Sequence, residues 1–303
     1  MPREFINRAV IRLAVVLTFV APLALLFELR HEPATNLNFI GASAVFLGLL
    51  FVARWELVGY AFPYLLLAAY LIIAYLQRGP YAVALGCASV LILWNLLRWR
   101  NRKDVLDVAF PLKGGTFCVC HGGASWLLNY HGIFAKSQRY ALDIVELSGA
   151  GTRARGLCPR SLKSYRVYGE TVYSPCAGIV SAAKDGIPDQ TPGAFNKQAP
   201  AGNHIWIRAA GSELYILLAH LQPHSLTVKA GDEVTIGQSI VRVGNSGYTS
   251  EPHLHIHAQW LGPNRAAPGG KPFQLTFGGK WLVRNSVLRS TASDSRTDID
   301  RQP

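Results

Sequence analysis

Glu251-Pro252-His253-Leu254-His255-Ile256-His257 sets three histidines at alternate positions of one apparent strand. In an extended chain successive side chains point to opposite faces, so the three imidazoles share a face. Imidazoles stacked on one strand face are costly to bury unless something binds them, and neutral imidazole is a good zinc ligand. A solvated strand face is the alternative that this motif alone leaves open. Working outward, short β-type runs at 115–120, 140–146, 171–174, 178–183, 204–209, 214–220, 239–243 and 253–260 are separated by Gly, Pro, Asn and Asp. That punctuation predicts an all-β domain of antiparallel strands. Residues 185–200 read as a loop, and the Ser/Thr/Asp-rich stretch after Arg289 as a disordered tail.

Two further features carry chemistry. Leu214-Tyr215-Ile216-Leu217-Leu218-Ala219-His220 is an apolar strand that ends in a histidine. Gln138-Arg139-Tyr140-Ala141-Leu142-Asp143 puts a carboxylate into an otherwise apolar strand, where it pairs with a cation or coordinates a metal. Alone, neither decides between structure and function.

The chain has 303 residues, half of them hydrophobic, and a formal net charge of +12. Its long apolar runs, at 9–27, 37–53, 57–76 and 81–97, lie before the β-type texture begins. Each is near the ~20 residues that span a bilayer as a helix, and the short connections between them suggest helical hairpins. The expectation is therefore about four transmembrane α-helices over 1–104, a β domain over 105–289 and a tail over 290–303, with lipid as one partner. Cations flank both ends of the apolar module, which by the positive-inside rule places both ends in the cytoplasm. Arg12 and Pro22 weaken the first segment, however, and three crossings would turn the β domain outward. Arg98, Arg100, Arg102 and Lys103 read as a membrane-edge cluster. No basic stripe interleaved with aromatics, zinc finger or helix-turn-helix pattern is present, so nucleic acid is not expected as a partner. Cys158 and Cys176 bracket a polar loop and are candidates for a disulfide in an oxidising compartment; small buried hydrophobes are the other reading.

Taken together, these pieces resemble the lysostaphin/LytM-type zinc metallopeptidases. Tyr173-Ser174-Pro175-Cys176-Ala177-Gly178-Ile179-Val180, Gly202-Asn203-His204, Ala230-Gly231-Asp232-Glu233-Val234 with Ile236-Gly237-Gln238, and Gly244-Asn245-Ser246-Gly247 fall in that family's order ahead of its His-x-His strand. The likeness runs from about Gly115 to Trp260. It implies an antiparallel β sandwich of the duplicated hybrid motif type with a groove over a Zn²⁺ ion. Asp143 and His255 would be metal ligands, and His220 and His253 catalytic. His257 lies beyond the pattern as an extra group, and His204 and His224 match no ligand position.

One position departs from the family, which has a histidine four residues before the aspartate. Here that residue is Arg139, and a guanidinium stays protonated and does not bind zinc. A hairpin between Asn129-Tyr130-His131 and Gln138-Arg139 would set His131 across from Arg139, so His131 is expected as the third ligand, with His121 a weaker candidate. Arg139 would then serve a substrate carboxylate or a developing oxyanion. The resemblance implies a zinc metallo-endopeptidase that cuts peptide cross-links of peptidoglycan; joined to the apolar runs it gives an inner-membrane, multi-pass protein whose β domain faces the cell wall or periplasm. A degenerate domain that binds wall peptide, or recruits another hydrolase through a regulatory protein partner, is the alternative.

Overall fold

The computed structural model describes residues 23, 43, 45–50, 53–57, 59, 61–78, 104–261 and 269–291. Its main body is a large mixed sheet. In chain order the strands are β1 (Val105–Val108), β2 (Gly115–His121), β3 (Leu142–Glu146), β4 (Thr171–Tyr173), β5 (Gly178–Lys184), β6 (Asn203–Ala209), β7 (Leu214–Leu221), β8 (Glu233–Val234), β9 (Ser239–Arg242), β10 (Leu254–Trp260), β11 (Lys271–Phe277), β12 (Lys280–Trp281) and β13 (Val287–Ser290). The sheet runs β13-β2-β3-β10-β7-β6-β5-β8, with β11 joining β10 to β1 and β12, while β4 and β9 form a separate two-stranded ribbon. Among the described strands every pairing is antiparallel except β1 with β11. The domain is mostly β, but one sheet of 11 strands plus a ribbon replaces the two comparable sheets expected of a sandwich.

β10 occupies the centre, between β3 and β7. Leu254, Ile256 and Ala258 on one face enter the main core with Leu142, Ile144, Ile216 and Leu218. The opposite face carries His255, His257 and Gln259, all buried. Alternation thus splits this strand between hydrocarbon on one side and polar chemistry on the other. Burying each Leu or Ile stabilises by roughly 1.5–3 kcal/mol, which anchors the backbone from which the histidines project.

Ahead of the sheet, α1 (Ala61–Arg78) buries Leu66, Tyr70 and Ala74, residues one helical turn apart, against Phe46, Leu47, Ala53 and Trp55. Phe46 and Tyr70 stack with ring centroids 5.1 Å apart. Among the described residues no helix is long and apolar enough to cross a membrane. At 18 residues α1 is about 27 Å long, short of the ~30 Å hydrocarbon core. It also carries Pro63 and three tyrosines and ends in Gln77-Arg78. The expectation of four transmembrane helices and the multi-pass inner-membrane location with a periplasm-facing domain are corrected on this finding, and lipid as a partner gains no support from it. One face of α1 packs on Phe46, Leu47, Ala53 and Trp55, while Tyr64, Leu65, Ile72, Tyr75 and Leu76 are exposed. The segment at 81–97, the cations 98–103 and all of 9–27 but residue 23 lie outside the described residues, as does Cys87.

The candidate disulfide is not formed. Cys158 is exposed and Cys176 is partly buried, and both are free thiols. Cys176 packs against the main core, where burial pushes its thiol up to about 12. Cys118 and Cys120, two apart on β2 and hence on one face, pack with Val145 and Leu147 as small apolar groups.

A candidate metal centre

Asp143 lies on β3 directly opposite His255 on β10. The pairing brings His255 Nδ1 to 2.9 Å from Asp143 Oδ1. His255 Nε2 lies 2.9 Å from His257 Nδ1 on the same strand face. With Nε2–H donating to His257, the Nδ1 lone pair of His255 is left for the carboxylate side. Burial first, and then the neighbouring His255, hold His257 well below the usual imidazole range, so it is a neutral acceptor. Its ring meets Trp206 edge-on at 5.6 Å, which fixes the plane.

His131 comes from α2 (His131–Phe134), a single turn, and not from a strand. The expected hairpin across from Arg139 is replaced by this turn followed by a 3₁₀ turn, Lys136–Gln138. The ring still reaches the site, with Nε2 3.3 Å from Asp143 Oδ2. Asn129 sets that orientation. Its Oδ1 accepts from the His131 backbone N–H at 3.2 Å and from Nδ1–H at 2.7 Å. Its amide nitrogen donates to the carbonyls of Gly123, Arg139 and Ala141. One buried side chain therefore ties the His131 turn to the strand entry two residues before Asp143. Because Nδ1 carries the proton, Nε2 has the free lone pair. Sequence reading missed Asn129; its signal is the Asn-x-His spacing, which suits a side chain that bonds the backbone two residues on.

His131, Asp143 and His255 each offer a ligand atom within 4.8 Å of the others, and so do His220, His253 and His255. Two imidazole lone pairs and a carboxylate, their outer nitrogens already satisfied, are the donor set of a three-ligand zinc site with an open fourth position. Burial opposes ionisation of Asp143, but the facing His131 and His253, when they carry a proton on Nε2, outweigh it and hold the carboxyl well below its usual value. The residues present thus fit a divalent zinc ion.

His220 reaches the site by an irregularity. By alternation it belongs with Ile216 and Leu218 on the core face, yet its ring centroid is 4.9 Å from that of His253 and 5.7 Å from that of His255. The backbone at His220 is left-handed, with φ 62°, an uncommon conformation for a non-glycine residue. It reverses the alternation, so Leu221 takes the place in the core. The ring is fixed by Nδ1–H donating to the Ser246 carbonyl at 2.9 Å. Gly202 makes that loop possible: at φ +61° a Cβ there would lie 2.2 Å from the Ser246 carbonyl oxygen. Burial, then the neighbouring His253 and His255, hold His220 well below the usual range.

His253, just before β10, donates Nδ1–H to the Glu251 carbonyl at 2.8 Å and turns Nε2 to within 3.4 Å of Asp143 Oδ1. The other candidates stand apart. His121 pairs with Asp143 in register, but its Nδ1 accepts from Arg284 at 3.2 Å. Arg139 is exposed, its guanidinium 5.6 Å over the Tyr140 ring. His204 and His224 fall in neither cluster.

A β domain with a buried His/Asp cluster flanked by two further histidines defines the class: a mostly β fold with a candidate metal centre. Residues 163–268 match the family model described as Peptidase family M23. That region includes His220, His253 and His255; His131 and Asp143 lie upstream of it. No curated protein matches the chain. Similar solved structures include a zinc-containing peptidase from Vibrio cholerae, at 28% identity over 31% of this chain and 24% of that one, TM-score 0.24. Lysostaphin shares 19% identity over 44% of this chain and 39% of its own, TM-score 0.26. A peptidase M23 structure from Pseudomonas aeruginosa, described as putative, shares 24% identity over 31% and 35%, TM-score 0.24. The chain spans well under half the length of each of these.

Proposed function

We propose that this chain is a zinc metallo-endopeptidase that hydrolyses peptide cross-links of peptidoglycan, with His131, Asp143 and His255 as metal ligands and His220 and His253 as catalytic histidines. The observation that carries the reading is the meeting of His131 with Asp143 and His255, because it supplies a third donor where Arg139 offers none. A bound zinc ion would supply the Lewis acidity that activates water and polarises the scissile carbonyl. The chain's own groups do the rest. His253 and His220 each have Nδ1–H committed to a backbone carbonyl, so Nε2 is the basic atom of each ring. One accepts the proton of the attacking water and passes it to the leaving amine; the other, protonated, stabilises the oxyanion. Exposed Tyr130 and Phe134, on the His131 turn with ring centroids 5.8 Å apart, would offer apolar surface to an extended peptide. The match to Peptidase family M23 supports the reaction class.

The test is zinc stoichiometry together with hydrolysis of cross-linked wall peptide. Wild type binds close to one zinc per chain and cuts; His131→Ala and His255→Ala lose both. His220→Ala and His253→Ala keep the metal and lose turnover by about 10²-fold or more. A His131→Ala protein with its zinc and activity intact would remove His131 from the ligand set. A wild type that binds no zinc would leave the non-catalytic reading, a wall-peptide or partner-binding domain, in its place.

A further inference from the structure

Behind His253 lies a buried ionic network that the proposed chemistry does not use. Glu251, 5% exposed, is gripped by Arg153, 2% exposed, through Nε to Oε1 at 3.0 Å and Nη2 to Oε2 at 2.6 Å. A second guanidinium completes the grip from outside the sheet: Arg54 Nη2 donates to Glu251 Oε1, while its Nε donates to Glu56 Oε1 at 2.6 Å. Burial alone would raise the Glu251 carboxyl; Arg153 and Arg54 outweigh it and hold it far below the usual carboxylate range.

Residues 53–57 are seated on the β domain by their backbone as well. The Arg153 N–H donates to the Glu56 carbonyl at 3.0 Å, and Asn285 Nδ2 donates to the Ala53 carbonyl at 3.1 Å. At Gly59 a Cβ would lie 2.7 Å from the Ala150 carbonyl oxygen, so the chain passes with no room for a side chain. Yet Ala53 and Trp55 belong to the core of the helical unit, which is separate from that of the sheet. These five residues therefore join two cores, and the charged contact between them falls on the residue whose carbonyl holds His253.

We propose that Arg54 is a positioning residue for His253: by clamping the Glu251 carboxylate it fixes the Glu251 carbonyl, which accepts Nδ1–H of His253 and aims Nε2 at the metal centre. This rests on the proposed function for its catalytic consequence but not for its geometry. Arg153 holds Glu251 from within the β domain, whereas Arg54 makes the pose depend on the seating of residues 53–57. The helical unit thus acts on the catalytic histidine through one side chain, and a shift of that unit loosens the grip without disturbing the ligands.

The experiment uses the full chain, zinc-loaded, as wild type, Arg54→Ala, Arg54→Lys and, as a remote control, Arg208→Ala. Three quantities are read: zinc per chain, kcat and KM on cross-linked peptide, and the Nδ1–H resonance of His253 in ¹⁵N-histidine-labelled protein, assigned by its loss in His253→Ala. Arg54→Ala keeps its zinc and its KM, loses about ten-fold or more in kcat, and loses or broadens the resonance through exchange with water. Arg54→Lys, which keeps the charge without the fork, falls between, and it carries the test should the alanine variant not fold. Arg208→Ala matches wild type. An Arg54→Ala protein with wild-type kcat and an intact resonance overturns the proposal, and so does one that loses zinc, since Arg54 would then act on the ligands. If wild type cuts no peptide, the peptidase reading fails by itself, and the His253 resonance alone decides whether Arg54 positions the ring.

Discussion

Asn129 and Glu251 hold no metal and meet no substrate in the proposed site, yet each decides what a neighbouring histidine does. Asn129 settles which nitrogen of His131 keeps its proton, and the Glu251 carbonyl does the same for His253. A ring becomes a ligand or a base through such partners, because the proton goes to the nitrogen with a buried acceptor and the lone pair to the other. Glu251 also predicts a pH dependence. Its carboxyl is held below the unfolded value of about 4.3, so its contribution to stability is fully present above that pH and is lost as pH falls toward the depressed native value. Glu251→Gln should lower stability at pH 7 by about 3–5 kcal/mol, the usual cost of breaking a buried ion pair. The gap from wild type should narrow steadily below about pH 4. Denaturant melts of both proteins from pH 7 to pH 3 check this; a gap that stays constant with pH would mean that Glu251 acts through its shape and not its charge.

At the scale of the element, β10 carries two jobs on two faces, and they separate by substitution. Ile256→Ala removes hydrocarbon from the face packed on Leu142 and Leu218 and should cost about 2–5 kcal/mol in unfolding free energy, with zinc affinity in the folded protein little changed. His257→Ala on the other face removes the partner of His255 Nε2 and should weaken zinc binding about 10–100-fold. Titration with a competing chelator beside chemical denaturation distinguishes the two. The reverse pattern, with Ile256→Ala weakening the metal more than His257→Ala, would show that strand position and not ring orientation limits affinity. β7 adds what β10 lacks: a regular strand delivers side chains only to alternate faces, and the left-handed residue at His220 breaks that rule where the site needs a histidine.

For the whole molecule, the sheet domain and the helical unit bury separate apolar clusters. A fragment of residues 104–291 should therefore unfold in one cooperative transition by itself. Zinc at 100-fold over its dissociation constant should add about 2.7 kcal/mol, since ions that bind only the native state stabilise by mass action. The fragment keeps Arg153 but lacks Arg54, so it should bind zinc like the full chain and turn over more slowly. Calorimetry with and without chelator reads the first two outcomes. A broad, non-cooperative melt would show that the β domain depends on the helical unit for its core.

Some of this protein was fixed by local pattern. The alternation of His253, His255 and His257 required a strand with one chemical face, and an Asp143 inside an apolar run required a partner; both follow from the period of two and the cost of burying charge. The chain pattern also announced a mostly β domain through its turn residues. Other features depended on what lies next to what. Hydropathy cannot tell apolar residues that face lipid from those that face protein, because both surroundings are equally apolar, and so the run at 57–76 read as a membrane span when one face of it packs on Phe46 and Trp55. The route of His131 through a helical turn, the reversed alternation at His220 and the grip of Arg54 on Glu251 each join residues far apart in the chain or break a local rule. Contacts between such distant residues are made only when the whole chain packs, and local spacing carries no record of them.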